Sequence, residues 1–275
     1  MSSTESPGRV AAGAVLAIFT LWTLGPFGVL VATSFAGPGI TISSGEVSLD
    51  SYRAVLSESG SAFRQALSTS LWLSTTTTFW ALVLGFPSAY SLARLDGRLA
   101  RLMGGWVLST RFLPPVVVAI PLFVAFRQLG LVGTASGLVL LNLAGVMPLV
   151  IWVLRSYFQQ DGQSALEDLA RADGIVPVRR LVYVILPSVR APLVAIGMLA
   201  WLQVWNEYLL GLLFGGNYRT LPVLIASWNT YLGVQWGPAA AAGLIAAIPA
   251  LLLLGVSFRA LTRGISFGWD PEANE

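Results

Sequence analysis

Residues 135–154 read ASGLVLLNLAGVMPLVIWVL, twenty positions without a charge. At about 1.5 Å per residue, twenty such residues make a helix of about 30 Å, the thickness of a bilayer's hydrocarbon core. The segment is therefore predicted to cross a membrane. Five more apolar stretches flank it: Ala11 to Ser34, Ala66 to Ala93, Gly105 to Phe126 (interrupted only by Arg111), Leu193 to Phe214 and Ala239 to Phe258. The expected fold is all-α, a polytopic membrane protein of about six transmembrane helices. The first stretch is too long for a signal-peptide core, and no small-residue cleavage motif follows it cleanly, so it is read as a retained helix.

Composition agrees. Of 275 residues, 55% are hydrophobic and 11% charged, whereas a soluble domain typically carries about a quarter charged residues. All 16 basic residues are arginine; lysine, histidine and cysteine are absent. Without lysine there is no Walker A loop, so the chain is not an ordinary P-loop ATPase. Without histidine or cysteine there is no usual zinc site, cysteine nucleophile or Ser-His-Asp triad. No cofactor and no catalytic residue is expected. A pI near 9.6 rests on a net charge of only +3, and no basic run alternates with aromatics as a nucleic-acid surface would require.

The arginines orient the chain. With the N-terminus inside, the inner segments carry eleven: Arg9, Arg94, Arg98, Arg101, Arg155, Arg171, Arg179, Arg180, Arg190, Arg259 and Arg263. The outer segments carry four, Arg53, Arg64, Arg127 and Arg219. This is the positive-inside asymmetry, and it places both termini in the cytoplasm. The organisation that follows is an N-terminal tail 1–10, a transmembrane domain 11–265 with a long inner loop 157–190, and a C-terminal tail 266–275. The first outer loop holds Glu46, Asp50 and Glu58 and is expected to form a short helix around Ser51 to Leu56.

In the inner loop, Glu167-Asp168-Leu169-Ala170-Arg171-Ala172-Asp173-Gly174 reads as a helix with acids in an early turn and a glycine past its end. Pro177 can open a second helix, on which Leu181, Val184 and Ile185 share a face. Leu186-Pro187 closes it. On spacing alone this is an amphipathic hairpin resting on the membrane surface.

Residues 167–192 also resemble the EAA loop of ABC importer permeases, with Asp168 at the glutamate place, Ala170 at the second alanine, Asp173-Gly174 at the D-G pair, and Leu186-Pro187 and Pro192 following. Leu169 departs from the small residue of that pattern. The similarity continues in order through Ala89-Tyr90-Ser91-Leu92-Ala93-Arg94, Thr110-Arg111-Phe112-Leu113-Pro114-Pro115, Trp205-Asn206-Glu207-Tyr208, Thr220-Leu221-Pro222 and Trp236-Gly237. The series resembles the carbohydrate-importer branch, of the maltose-permease-G-like type.

That resemblance implies a bacterial inner-membrane permease subunit that forms half of a sugar pathway and performs no ATP chemistry. It implies as partners an ATP-binding subunit dimer, a second homologous permease, an extracytoplasmic solute-binding protein and membrane lipid. Glu167, Asp168, Ala170, Ala172, Asp173, Gly174, Leu186 and Pro187 would couple to the ATPase as a stiff coupling helix. Trp205, Asn206, Glu207 and Tyr208 would belong to the translocation pathway. Glu207 is the one acid placed inside a span, where charge is costly and marks a cavity or a partner; otherwise it lies near the outer helix end and reaches headgroups. Arg111 is expected to snorkel to the interface, the alternative being an inward contact with a neighbouring helix. A permease for a non-sugar solute remains open. A secondary transporter would show larger inverted halves and several buried ionisable groups, and an intramembrane enzyme would need paired acids or a serine dyad in its spans; neither is found.

Overall fold

The computed structural model describes residues 7–36, 47–231 and 233–265. Among them the chain is mostly helical, with short connections and one small hairpin. Helix α1 is Pro7–Ser34. Helix α2, Asp50–Arg53, widens into a π-helical turn at Ala54–Glu58, so the short helix expected in the first outer loop is present. Then come α3 (Gly60–Ala93), α4 (Gly97–Ser109, closed by a 3-10 turn at Thr110–Phe112), α5 (Pro115–Gln128) and α6 (Ala135–Phe158). Helices α7 (Asp161–Ala172) and α8 (Pro177–Ser188) make the long loop. The chain continues through α9 (Arg190–Trp205), α10 (Leu209–Phe214) and α11 (Leu221–Ala226). Strands β1 (Asn229–Thr230) and β2 (Gly233–Val234) pair antiparallel before α12 (Trp236–Ile265). Helix α1 begins inside the segment expected as a tail. Residues 1–6, Glu46 and the tail 266–275 lie outside the described residues.

Among the described residues three helices are each long and apolar enough to cross a membrane: Val15–Ser34, Ala135–Phe158 and Trp236–Arg259. Helix α3, at 34 residues, has the length but carries the polar run Thr75–Thr78 at its middle.

Two spans expected as continuous are broken. The third divides into Gly97–Phe112 and Pro115–Gln128, which meet at 97°. Leu113 and Pro114 are both extended, with ψ of 115° and 128°, because each precedes a proline whose ring disfavours helical backbone before it. The fifth breaks at residues 206–208, where Asn206 Nδ2 donates to the Leu202 carbonyl at 2.8 Å and so competes for a helical acceptor. A further bend of 77° separates α8 from α9.

The chain divides into two compact units. One comprises Met1–Arg64 and Leu224–Ile248. Within it the Ser34 and Tyr52 hydroxyls bond at 2.9 Å, and the Tyr52 ring lies 5.5 Å from that of Phe35. Ser48 N–H donates to the Phe35 carbonyl at 2.8 Å, and Gln235 N–H closes the hairpin onto the Trp228 carbonyl at 3.0 Å.

The other unit comprises Gln65–Val223 and Pro249–Glu275. Its core is built on α6 and α9: Val150, Leu154 and Phe158 pack with Ile185, Val189, Ile196 and Ala200, all fully buried. Helix α3 lies close against α6 at Gly85, where an added Cβ would stand 2.6 Å from Val150 Cγ1. Phe158, the last residue of α6, is packed edge-on by Phe86 and Tyr90 of α3 at 5.7 Å. This packing brings the end of α3 beside the long loop.

Candidate functional site

The long loop is an ordered helical pair. Helix α7 starts at Asp161, after the extended Gln160, so Glu167 and Asp168 lie mid-helix rather than in an early turn as expected. Ala165 and Leu166 are strong helix formers and carry the helix upstream of the acids. The C-terminal expectation stands. Gly174 has φ +72°, and three bonds close the end: Asp173 N–H to the Leu169 carbonyl, Gly174 N–H to Arg171 and Ile175 N–H to Ala170, at 3.0, 3.1 and 3.1 Å. The last two form the paired bonds of a Schellman turn, which needs a left-handed residue at the Gly174 position.

Pro177 opens α8 as expected. Leu181, Val184 and Ile185 turn inward while Val182 and Tyr183 are exposed. Residues Leu181–Ile185 form a π-helical turn. Pro187 lacks an N–H and its ring crowds the carbonyl four residues back; widening the turn relieves that clash. The helix ends at Ser188, one residue past Pro187.

Glu167 points inward and is only 3% exposed. Tyr90 Oη donates to its Oε1 at 2.5 Å and Arg94 Nε to its Oε2 at 2.6 Å. Arg171 Nη2 reaches Oε1 at 3.4 Å, and the buried Arg180 stands with Nε 3.8 Å from the same oxygen. Arg94 also donates Nη1 to the Phe158 carbonyl at 2.8 Å and lies over the Tyr90 ring. The Glu167 carboxylate thus ties α7 to the end of α3 and to α8, and through Arg94 to the end of α6. Burial pushes the Glu167 pKa upward, but the Tyr90 and Arg94 hydrogen bonds and the charges of Arg94 and Arg180 outweigh it, and the group titrates below the ordinary glutamate range. Tyr90 and Arg94 belong to the motif quoted above, but their pairing with Glu167 was missed; so was the part of Arg180.

The other loop residues divide by exposure. Ala170 is buried. Asp168 is 72% exposed, with its nearest cation Arg171 at 3.9 Å. Ala172, Asp173, Gly174, Leu186 and Pro187 are exposed too. The loop presents one surface built from Asp168 and the α7–α8 turn, with Glu167 beneath it.

Asn206 to Tyr208 form the break between α9 and α10, and Trp205 is the last residue of α9. Trp205 is buried and stacks on Trp201 at 4.7 Å. The Glu207 carboxylate accepts from Leu210 N–H at 2.8 Å and Gly211 N–H at 3.0 Å, capping α10. Arg111 is exposed and makes contacts toward neighbouring helices. Its Nη1 donates to the Gly145 carbonyl at 3.3 Å and to Gln203 Oε1 at 3.1 Å, which is the inward alternative.

Broken spans, a loop tied to them through Glu167 and three unbroken apolar helices among the described residues together describe a membrane component. Residues 81–267 match the family described as binding-protein-dependent transport system inner membrane component. The chain belongs to this family. It is a permease subunit of an ABC importer, a transport component and not an enzyme, whose system includes an ATPase and a binding protein. The permease is 31% identical over 226 residues to the trehalose transport system permease protein SugB of Mycobacterium tuberculosis, covering 81% of each chain. It is 29% identical to the trehalose/maltose transport system permease protein MalG of Thermococcus litoralis, covering 93% of this chain and 94% of that one. Its fold is similar to a chain in the crystal structure of a bacterial ABC transporter involved in the import of the acidic polysaccharide alginate, with TM-score 0.77 and 20% identity over 94% of this chain and 98% of that one.

Proposed function

We propose that this permease forms half of a sugar pathway, beside a second homologous permease, and that α7 is the coupling helix on which the ATPase docks. The observation that carries the reading is Glu167. A helix tied through one buried carboxylate to α3, α6 and α8 transmits displacement that a loose loop would absorb. Asp168, Ala172, Asp173 and Gly174 are the docking surface, with Leu186 and Pro187 at its edge. Glu167 acts from beneath and Ala170 packs inward. The arginine asymmetry supports a cytoplasmic loop and cytoplasmic termini. Sugar as the solute rests on the relatives named for trehalose and maltose. Asn206, Glu207 and Tyr208, with Trp205 behind them, stand at the break of the fifth span and are assigned to the pathway.

The chain has no cysteine, so a single one reports without background. Ala172→Cys, carrying a short crosslinker, should capture the ATP-binding subunit and react with thiol reagents only from the cytoplasmic side. Reaction from the outside, or capture of no nucleotide-hydrolysing protein, would reject the reading. Uptake of labelled trehalose or maltose by the reconstituted complex tests the solute.

A further inference from the structure

The break in the third span creates more than a bend. Pro114 and Pro115 have no N–H, so the carbonyls of Thr110 and Arg111 lose their helical donors. At membrane depth such backbone persists only where it is buried in protein or lines a water-filled cavity. A cavity of about 410 Å³ opens here, lined by Thr110, Arg111, Gly145 and Gln203 on its polar side and by residues such as Phe126 and Leu140 on its apolar side. Arg111 and Gln203 both bond the Gly145 carbonyl, each at 3.3 Å, and each other at 3.1 Å. The guanidinium has five N–H donors, and only Nη1 is hydrogen-bonded among the described residues. A charge inside a span faces a cavity or a partner.

From this geometry we infer that the elbow between α4 and α5 is a solute-contacting site on the translocation pathway, where Arg111 and Gln203 hold a polyhydroxylated solute in transit. The inference rests on the reading of the chain as an importer permease. The ligand class follows from the lining. Arg111 offers unused donors, and the Gln203 amide offers both donor and acceptor. An apolar wall with one aromatic ring stands opposite. A sugar has hydroxyls that both give and take hydrogen bonds, and C–H faces that suit such a wall. The volume lies within the roughly 300–1,000 Å³ of small-molecule sites. None of Trp205, Asn206, Glu207 or Tyr208 lines this cavity; the contribution of α9 comes from Gln203, two residues before Trp205.

The test uses the whole reconstituted complex. Leu140 lines the cavity and is about half exposed, so Leu140→Cys is labelled with a small water-soluble thiol reagent and read by the mass of this chain. Labelling is expected in at least one nucleotide state, and the transported solute should slow it. Arg111→Ala and Gln203→Leu should each lower solute moved per ATP hydrolysed by about tenfold, the size of one lost charge-assisted or buried hydrogen bond, with ATPase assembly and melting temperature unchanged. No labelling in any nucleotide state, labelling indifferent to solute, or wild-type transport by both variants overturns the site. A fall in melting temperature that accounts for the lost transport makes Arg111 a structural brace and also overturns it. If the unaltered complex shows no ATP-driven uptake, the importer reading itself has failed.

Discussion

Arg94 donates its Nε–H to Glu167 at 2.6 Å, joining the end of α3 to the middle of α7 across 73 residues of sequence. The bond is charge-assisted, and its acceptor is almost fully buried. Breaking one side of such a pair leaves the other charge stranded, and that asymmetry makes the contact measurable.

Glu167→Ala should destabilise the permease by about 2–3 kcal/mol, somewhat under the roughly 3–5 kcal/mol for a fully buried pair because Arg94 keeps partial exposure. Thermal unfolding in detergent reads the stability change. Transport per ATP hydrolysed should fall as well, since α7 would lose its tie to α3 while the surface proposed for docking stayed intact. Asp168→Asn, at an exposed position, should change stability by less than about 1 kcal/mol, so any loss it causes in ATPase binding reports the interface.

Acid should release the same contact. Burial opposes the charge on Glu167, but Tyr90, Arg94 and Arg180 together hold its folded pKa below the ordinary value of 4.5. A carboxylate depressed on folding contributes stability above its unfolded pKa, and the contribution is lost as pH falls through the folded value. The melting-temperature gap between wild type and Glu167→Gln should therefore stay constant from pH 6 to 8 and close only below pH 4.5. A gap that changes near neutrality would assign the effect to another group.

Gly174→Ala should cost about 1–2 kcal/mol, the penalty for an L side chain in the left-handed region. No atom lies within 4 Å of the position its Cβ would take, so the cost is conformational and not steric. Gly174→Asn should cost less, since asparagine tolerates that region. Amide exchange over residues 169–175, measured with transport, separates a frayed turn from a blocked docking surface: fraying predicts faster exchange and poorer coupling in proportion, alanine worse than asparagine.

Glu207→Leu removes both acceptors at the start of α10 and should cost about 1 kcal/mol, a typical helix-cap loss. Glu207→Gln keeps one carbonyl oxygen and should lose less. On the pathway reading Glu207→Gln still alters uptake while the complex assembles; wild-type uptake by that variant would leave Glu207 a cap alone.

The sequence carried the architecture further than the contacts. Apolar stretches located the three unbroken apolar helices, because hydrocarbon thickness imposes their length. The end of α7 and the start of α8 were legible because Gly174 and Pro177 act on their own backbone. The elbow at Leu113 was written in Pro114-Pro115, but two prolines are compatible with a mild kink, and what decides the right angle is that both preceding residues go extended together. Glu167 could not be placed, since its partners Tyr90 and Arg94 lie 77 and 73 residues away and nothing local distinguishes it from exposed Asp168. The inward contacts of Arg111 are illegible locally for the same reason, with bonding partners 34 and 92 residues distant.

A segment fastened only at its two chain ends keeps one free motion, pivoting about the line between them. Helix α7 is fastened at a third point off that line, where Tyr90 and Arg94 grip Glu167. Three non-collinear supports leave no axis to pivot on. A push on α7 therefore cannot be taken up as rotation, and α3, α6 and α8 would share the load at the same moment.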